Sequence, residues 1–274
     1  MATDPNHYLA RWNLEPDGDL LKTHSSILLP VRRGDVPAML KIALEKEERR
    51  GCRLMAWWQG EGAARVLAED DGVLLLERAT GTRSLAAMAR SGQDDEATRI
   101  LCEATSRLHR HRAPLPPDLV PLTDWFEPLL EAQDQGGVIA EGRSVARELL
   151  ERQQEIVVLH GDIHHENVLD AGPRGWIVID PKGLLGDRAF DFVNILRDPD
   201  EATALAPGRF ARQVEVIAEA AALDRTHLLR WTLAFASLSA VWILGDGDHP
   251  GLDLAVAELA AAALKSSGSC APSR

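Results

Sequence analysis

The sequence predicts an α+β chain in two lobes, a small β-rich N-terminal lobe with one helix and a larger, mainly helical C-terminal lobe. Three observations carry that prediction. Two short apolar runs, 27–31 and 38–43, flank Arg32-Arg33-Gly34-Asp35 and read as a β-hairpin. Beyond Arg78 the apolar residues change to three- and four-residue spacing and keep it nearly to the end of the chain. The 274 residues, 45% apolar and 26% charged, have an ordinary globular composition and suffice for two lobes.

Each element follows in order. Residues 45–58 begin charged and turn apolar at Leu54, Met55, Trp57 and Trp58, a helix stopped by Gly60 and Gly62. Two further strands, 64–67 and 73–78, are joined by Glu69-Asp70-Asp71-Gly72. Helices are expected at 85–90, 96–111, 125–133 and 138–153, with a proline-rich loop at 113–121. Short apolar runs at 156–159 and 176–179 bracket a polar stretch, and helices resume at 190–196, 210–223, 226–244 and 252–264. The tail 266–274 is small and polar and is expected to fray. The lobes divide into 1–79 and 80–274, with a cleft between them near residues 77–82.

A net charge of −12 argues against binding nucleic-acid phosphates and is compatible with a cationic small molecule. Cys52, Cys102 and Cys270 lie far apart without CxxC spacing, which reads as reduced thiols in the cytoplasm. The first residues have no signal-peptide pattern, and the apolar run 233–244 is too short to span a bilayer, so no membrane association is expected.

The chemistry is concentrated in VVLHGDIHHENVLD, residues 157–170. Read as a metal site, His160, Asp162, His164 and His165 offer nitrogen and oxygen donors, but the leading second histidine of H-x-H-x-D-H is missing. Read as a phosphotransfer loop, the run places Asp162 and Asn167 at the separation of Asp and Asn in H-R-D-L-x-x-x-N. There the aspartate takes the hydroxyl proton and the asparagine holds magnesium. A second carboxylate for that metal comes from the apolar strand 176–179, which delivers Asp180 before Pro181 turns the chain. Upstream, Lys41 stands in an apolar strand, a costly place without a partner, and Glu45, Glu47 and Glu48 follow it. No G-x-G-x-x-G joins the first strands. Ser25 and Ser26 are the small hydroxyls available there for phosphate. Lys182, two residues past Asp180, suits either phosphate or solvent.

Together these motifs resemble the aminoglycoside phosphotransferases, in the subgroup of streptomycin 6-phosphotransferases and hydroxyurea-type resistance kinases. The likeness runs through LKIAL, AWWQGEGAARVL, LLLERA, LHGDIHHENVL, WIVIDPKGLLGDRAFD and LSAVWILGDGD. It implies a protein-kinase-like bilobal fold, ATP and Mg2+, and γ-phosphoryl transfer to an alcohol, the 6-hydroxyl of streptomycin first. Carried over by position, Asp162 is the catalytic base, Asn167 and Asp180 hold magnesium, and Lys41 contacts the α/β-phosphates with Glu48 as its partner. The backbone of Glu77 and Ala79 takes the adenine edge, and His160 braces the loop. Glu166, Trp242, Asp246 and Asp248 are candidate acceptor contacts, since carboxylates pair guanidinium groups. The alternatives are a kinase for hydroxyurea or another metabolite, a metal-dependent hydrolase, and a nucleotide-binding protein without turnover.

Overall fold

A computed structural model describes residues 4–116, 118–132 and 134–268. The chain opens on α1 (Pro5–Arg11), where the Asp4 side chain accepts from the Asn6 N–H and Pro5 takes the first turn. The sequence reading has no helix here. The N-terminal region thus holds two helices, α1 and α2 (Lys46–Trp58).

Its strands are β1 (Glu15–Pro16), β2 (Leu21–Lys22), β3 (Ser26–Arg33), β4 (Val36–Ala43), β5 (Val66–Asp70) and β6 (Val73–Glu77). They form one six-stranded antiparallel sheet in the order β1-β3-β4-β6-β5, with β2 on β3. Arg33 pairs with Val36, so the expected hairpin closes at Gly34-Asp35, where Gly34 takes φ +59°. Alternation along β4 and β6 divides the apolar residues between two cores. Leu40, Ile42, Val73 and Leu75 face Tyr8 and Leu14 on one side. Ala43, Leu74 and Leu76 join α2 and the helical region on the other. Covered on both faces, these strands read as continuous apolar runs.

The helical region contains α3 (Leu85–Arg90), α4 (Asp94–Leu108), α5 (Leu122–Trp125), α6 (Glu127–Glu131), α7 (Gly137–Glu151), α8 (Glu201–Ala204), α9 (Arg209–Ala220), α10 (Arg225–Gly245) and α11 (Gly251–Gly268). The single helix expected over 125–133 is instead α5 and α6, meeting at Phe126 just before Pro128; residue 133 lies outside the described residues. At 21 residues α10 is long and apolar enough to cross a membrane, yet two-thirds of it is buried, against α7 and α11 among others. It is the core helix of this region. Ser266 to Gly268 continue α11 rather than fraying, and the rest of the expected tail lies outside the described residues.

Two small sheets carry the polar stretch. β9 (Val168–Asp170) pairs antiparallel with β10 (Trp176–Val178), and β7 (Val120–Pro121) and β8 (Ile156–Leu159) flank β11 (Leu184–Asp187). The N-terminal region ties onto them directly. Ala64 N–H donates to Val178 C=O over 2.9 Å, and Gly81 N–H donates to Asp170 C=O over 2.8 Å.

Candidate active site

β8 leads directly into His160, which is fully buried. Its Nε2 donates to the Ile179 carbonyl over 2.8 Å, and its Nδ1 accepts from the Asp162 N–H at 3.1 Å. Trp58 stacks on the ring with centroids 6.1 Å apart, and burial pushes the imidazole pKa down. Both ring nitrogens are committed, so this histidine braces the loop. The Asp191 carboxylate accepts from the N–H groups of His160 at 2.9 Å and Gly161 at 2.7 Å, and His109 Nε2 lies 2.7 Å from it. Gly161 takes φ +85° at the bend.

The other two histidines diverge. His164 Nδ1 accepts from the Glu166 N–H at 3.3 Å, whereas His165 is buried with no hydrogen-bond partner on either ring nitrogen. Among the described residues, no group of three or more His, Cys, Asp or Glu side chains converges as a metal site. The H-x-H-x-D-H resemblance of the 157–170 stretch has no geometric counterpart among the described residues.

Asp162 and Asn167 sit together. Asn167 Nδ2 donates to the Asp162 carbonyl over 2.9 Å, which commits the amide nitrogen and leaves Oδ1 as the acceptor. The Ile179 N–H donates to the Asn167 carbonyl over 2.9 Å and fastens the loop to the strand that delivers Asp180. Asp180 takes φ +64°, a left-handed conformation that Asp tolerates better than most residues. It forms an ion pair with Lys41, which also meets Glu48 at 2.5 Å. Burial alone would lower the Lys41 pKa, but Asp180 and Glu48 outweigh it and raise the value above that of an ordinary lysine. Against a burial penalty, the same lysine holds the Asp180 carboxyl below its usual range.

The choice of Glu48 over Glu47 therefore agrees with the ion pairing, since Glu47 instead meets Lys182 at 2.9 Å. The hydroxyls of Ser25 and Ser26 donate to Glu48 at 3.1 and 3.0 Å, so here they support the glutamate. Lys41, Glu48, Asp180, Glu77, Ala79, Ser25 and Ser26 all line one cleft of about 540 Å³, walled by Leu28, Met39 and Leu76. The Glu77 carboxylate is taken by Arg174 and by the Arg65 N–H.

Asp162 lines a second cavity of about 360 Å³. Sequence reasoning passed over most of its lining. Asn194 Nδ2 donates to Asp162 Oδ1 at 3.0 Å. Arg197 reaches Asp253 at 2.9 Å and Ser239 Oγ at 2.7 Å, and Asp200 pairs with Arg90 at 2.7 Å. His164 Nδ1 lies 3.9 Å from the Asp198 carboxylate, and burial raises the Asp198 pKa against the pull of His164 and Arg197. The available signal was FDFVNILRDPD, in which Asn194 interrupts an apolar run just before a charged cluster. Of the expected acceptor contacts, Trp242 lines this cavity, while Glu166, Asp246 and Asp248 are exposed and outside its lining.

A sheet with one helix paired to its lysine, joined through a cleft to a helical region carrying the HGDxxxxN loop, defines the protein-kinase-like fold. The same fold appears in a thermostable mutant of aminoglycoside phosphotransferase APH(4)-Ia in ternary complex with ADP and hygromycin B, at 13% identity and a TM-score of 0.63 over 95% of this chain and 96% of that one. It appears also in a choline/ethanolamine kinase family protein from Mesorhizobium loti, at 20% identity and a TM-score of 0.63 over 97% of this chain and 91% of that one. The chain belongs to the aminoglycoside/hydroxyurea antibiotic resistance kinase family, whose model matches residues 11–247. It is 50% identical to a streptomycin 3''-kinase from Klebsiella pneumoniae over 92% of this chain and 98% of that relative. It is 34% identical to a streptomycin 6-kinase from Streptomyces griseus, over 86% of this chain and 81% of that relative.

Proposed function

We propose that this protein transfers the γ-phosphoryl group of ATP to a hydroxyl of streptomycin, and that the hydroxyl is the 3''. The observation that carries the reading is Asp162, held by Asn194 in the wall of a cavity with a weakly partnered carboxylate, next to a cleft built around Lys41 and Asp180. The 3''-position follows the relative that is 50% identical over nearly its full length. The 6-hydroxyl expected from the sequence is the second reading, favoured by relatives at 34% and 32% identity.

In this account residues up to 79 form the nucleotide lobe, and those from 80 onward form the catalytic and acceptor lobe. The backbone of Glu77 and Ala79 takes the adenine edge. Lys41, steadied by Glu48, contacts the α/β-phosphates, and Asp162 takes the proton of the acceptor hydroxyl. Asn167 Oδ1 and the Asp180 carboxylate are hard oxygen donors that fit magnesium. When bound, the metal supplies positive charge to the β- and γ-phosphate oxygens. Asp198 pairs a cationic group of the antibiotic, and Trp242 walls the same cavity. Chemistry of this kind is alignment and charge neutralisation, so the protein forms no bond to the substrate.

Phosphorus-coupled NMR of the product distinguishes the two positions. Coupling to the carbon that bears the 3''-oxygen supports the first reading, and coupling at carbon 6 replaces it with the second.

A further inference from the structure

Lys182 is a second lysine of the nucleotide cleft. The motif Ile179-Asp180-Pro181-Lys182-Gly183 places it two residues beyond Asp180. Its side chain is only 24% exposed and lines the same cleft as Lys41 and Asp180. Its backbone N–H donates to the His160 carbonyl over 2.7 Å. A Cβ on Gly161 would come within 3.1 Å of Lys182 Cβ. Lys182 is thus rooted against the residue that precedes Asp162 while following Asp180 in the chain. Its ammonium rests on Glu47 of α2, 2.9 Å away. Glu47 is 39% exposed, so water and an incoming anion can compete for the pair.

Each of the other two cations lining the cleft has a carboxylate partner of its own. Lys41 is shared between Glu48 and Asp180, and Arg78 pairs with Asp17. A γ-phosphoryl group has to lie between Asp180, at the nucleotide end, and Asp162, at the acceptor end. That junction is where Lys182 is anchored.

Resting on the phosphotransfer reading above, we infer that Lys182 is a further catalytic residue whose ammonium leaves Glu47 and binds the γ-phosphoryl oxygens during transfer. The acceptor oxygen forms a bond to the γ-phosphorus as the bond from that phosphorus to the β,γ-bridging oxygen breaks. The electron pair of the broken bond stays with ADP, and the hydroxyl proton passes to Asp162. Lys182 neutralises charge on the transferring group in a site partly shielded from water, where a fixed cation counts for more than in bulk solvent.

The test compares Lys182→Met, Lys182→Arg and Glu47→Gln with the parent chain. Calorimetry measures binding of a non-hydrolysable ATP analogue and of ADP, each with magnesium, and streptomycin-dependent ADP release measures turnover. Lys182→Met is expected to lose about 100-fold in turnover. It is also expected to bind the analogue about tenfold more weakly while ADP binding is unchanged. Lys182→Arg recovers part of both, and Glu47→Gln stays within about threefold of the parent. Equal weakening of both nucleotides, or a Glu47→Gln loss matching that of Lys182→Met, overturns the inference and leaves the pair as a tie between α2 and the loop. The nucleotide comparison needs no acceptor, so an error about streptomycin does not touch it. Lys182→Ala gives the same contrast if the methionine variant does not fold.

Discussion

The side-chain amide of Asn194 donates to Oδ1 of Asp162 over 3.0 Å. It projects from a 3-10 helix, Arg188–Leu196, whose Asp191 carboxylate also caps the N–H groups of His160 and Gly161. One short element therefore shapes the loop from His160 and holds the Asp162 carboxylate. Replacing Asn194 with Ala is expected to lower kcat by about 10- to 100-fold while the KM for ATP holds, because alignment is lost and nucleotide contacts are not. Asn194→Asp is expected to lower kcat as well, since a carboxylate there repels Asp162 and has no N–H to donate to it. Steady-state kinetics check both, and an unchanged kcat in Asn194→Ala contradicts the orienting role.

Gly51 governs how α2 meets the Asp180 segment. A Cβ at that position would lie 2.3 Å from the Pro181 carbonyl oxygen, a backbone atom with no freedom to yield. Gly51→Ala therefore pushes α2 away from the strand end that carries Asp180, and with it Glu48 from Lys41. ATP affinity is expected to fall by about tenfold or more, a loss on the order of one charge-assisted hydrogen bond. Titration with a fluorescent nucleotide reads this directly, and parental affinity refutes the packing argument.

His165 gives the fold a pH dependence. Burial pushes its imidazole down to about 3, helped by the nearby Arg209 guanidinium. An unfolded chain protonates this histidine near its usual 6.5. Between those values the unfolded state binds the extra proton, so its stabilising contribution is full above 6.5 and is lost as pH falls towards 3. His160, whose pKa burial also lowers, acts in the same direction. From pH 6.5 to 5, His165→Leu is expected to lose stability less steeply than the parent, by about 1.4 kcal/mol per pH unit. Urea midpoints at a series of pH values measure the slope, and parallel curves refute it.

Asp198 is the carboxylate of the second cavity left with the weakest partner, since Asp200 is held by Arg90 while His164 lies 3.9 Å from Asp198. Asp198→Asn is expected to raise the KM for streptomycin by about tenfold and to leave the KM for ATP alone. An effect on both substrates, or on neither, removes Asp198 from the acceptor site.

Sequence patterns were most legible where a chemical role fixes spacing. Asp162 and Asn167 lie in the one loop between β8 and β9, and Asp180 follows β10, which pairs with β9, so their separation along the chain survives into space, and Lys41 stands out by its incongruity in an apolar strand. Glu48 needed more, because three glutamates open α2 and only the helix phase against β4 decides which reaches Lys41. The wall of the second cavity was least legible. Asn194, Arg197 and Asp198 meet Ser239 and Trp242 from a distant helix, and no local period marks such a tertiary meeting. The exposed pair Asp246 and Asp248 drew attention as carboxylates able to pair guanidinium groups, whereas no motif singles out Asp198. The short strands β7, β9 and β11 were also missed, for two to four residues carry too little pattern to separate from loop.

The most direct measurement is ADP release by the purified protein with Mg-ATP, with and without streptomycin, set against Asp162→Ala. The account predicts release that depends on streptomycin, falls by about a thousandfold or more in the variant, and leaves ATP binding in that variant intact. ADP release that ignores streptomycin, or that persists at the parental rate in Asp162→Ala, contradicts it.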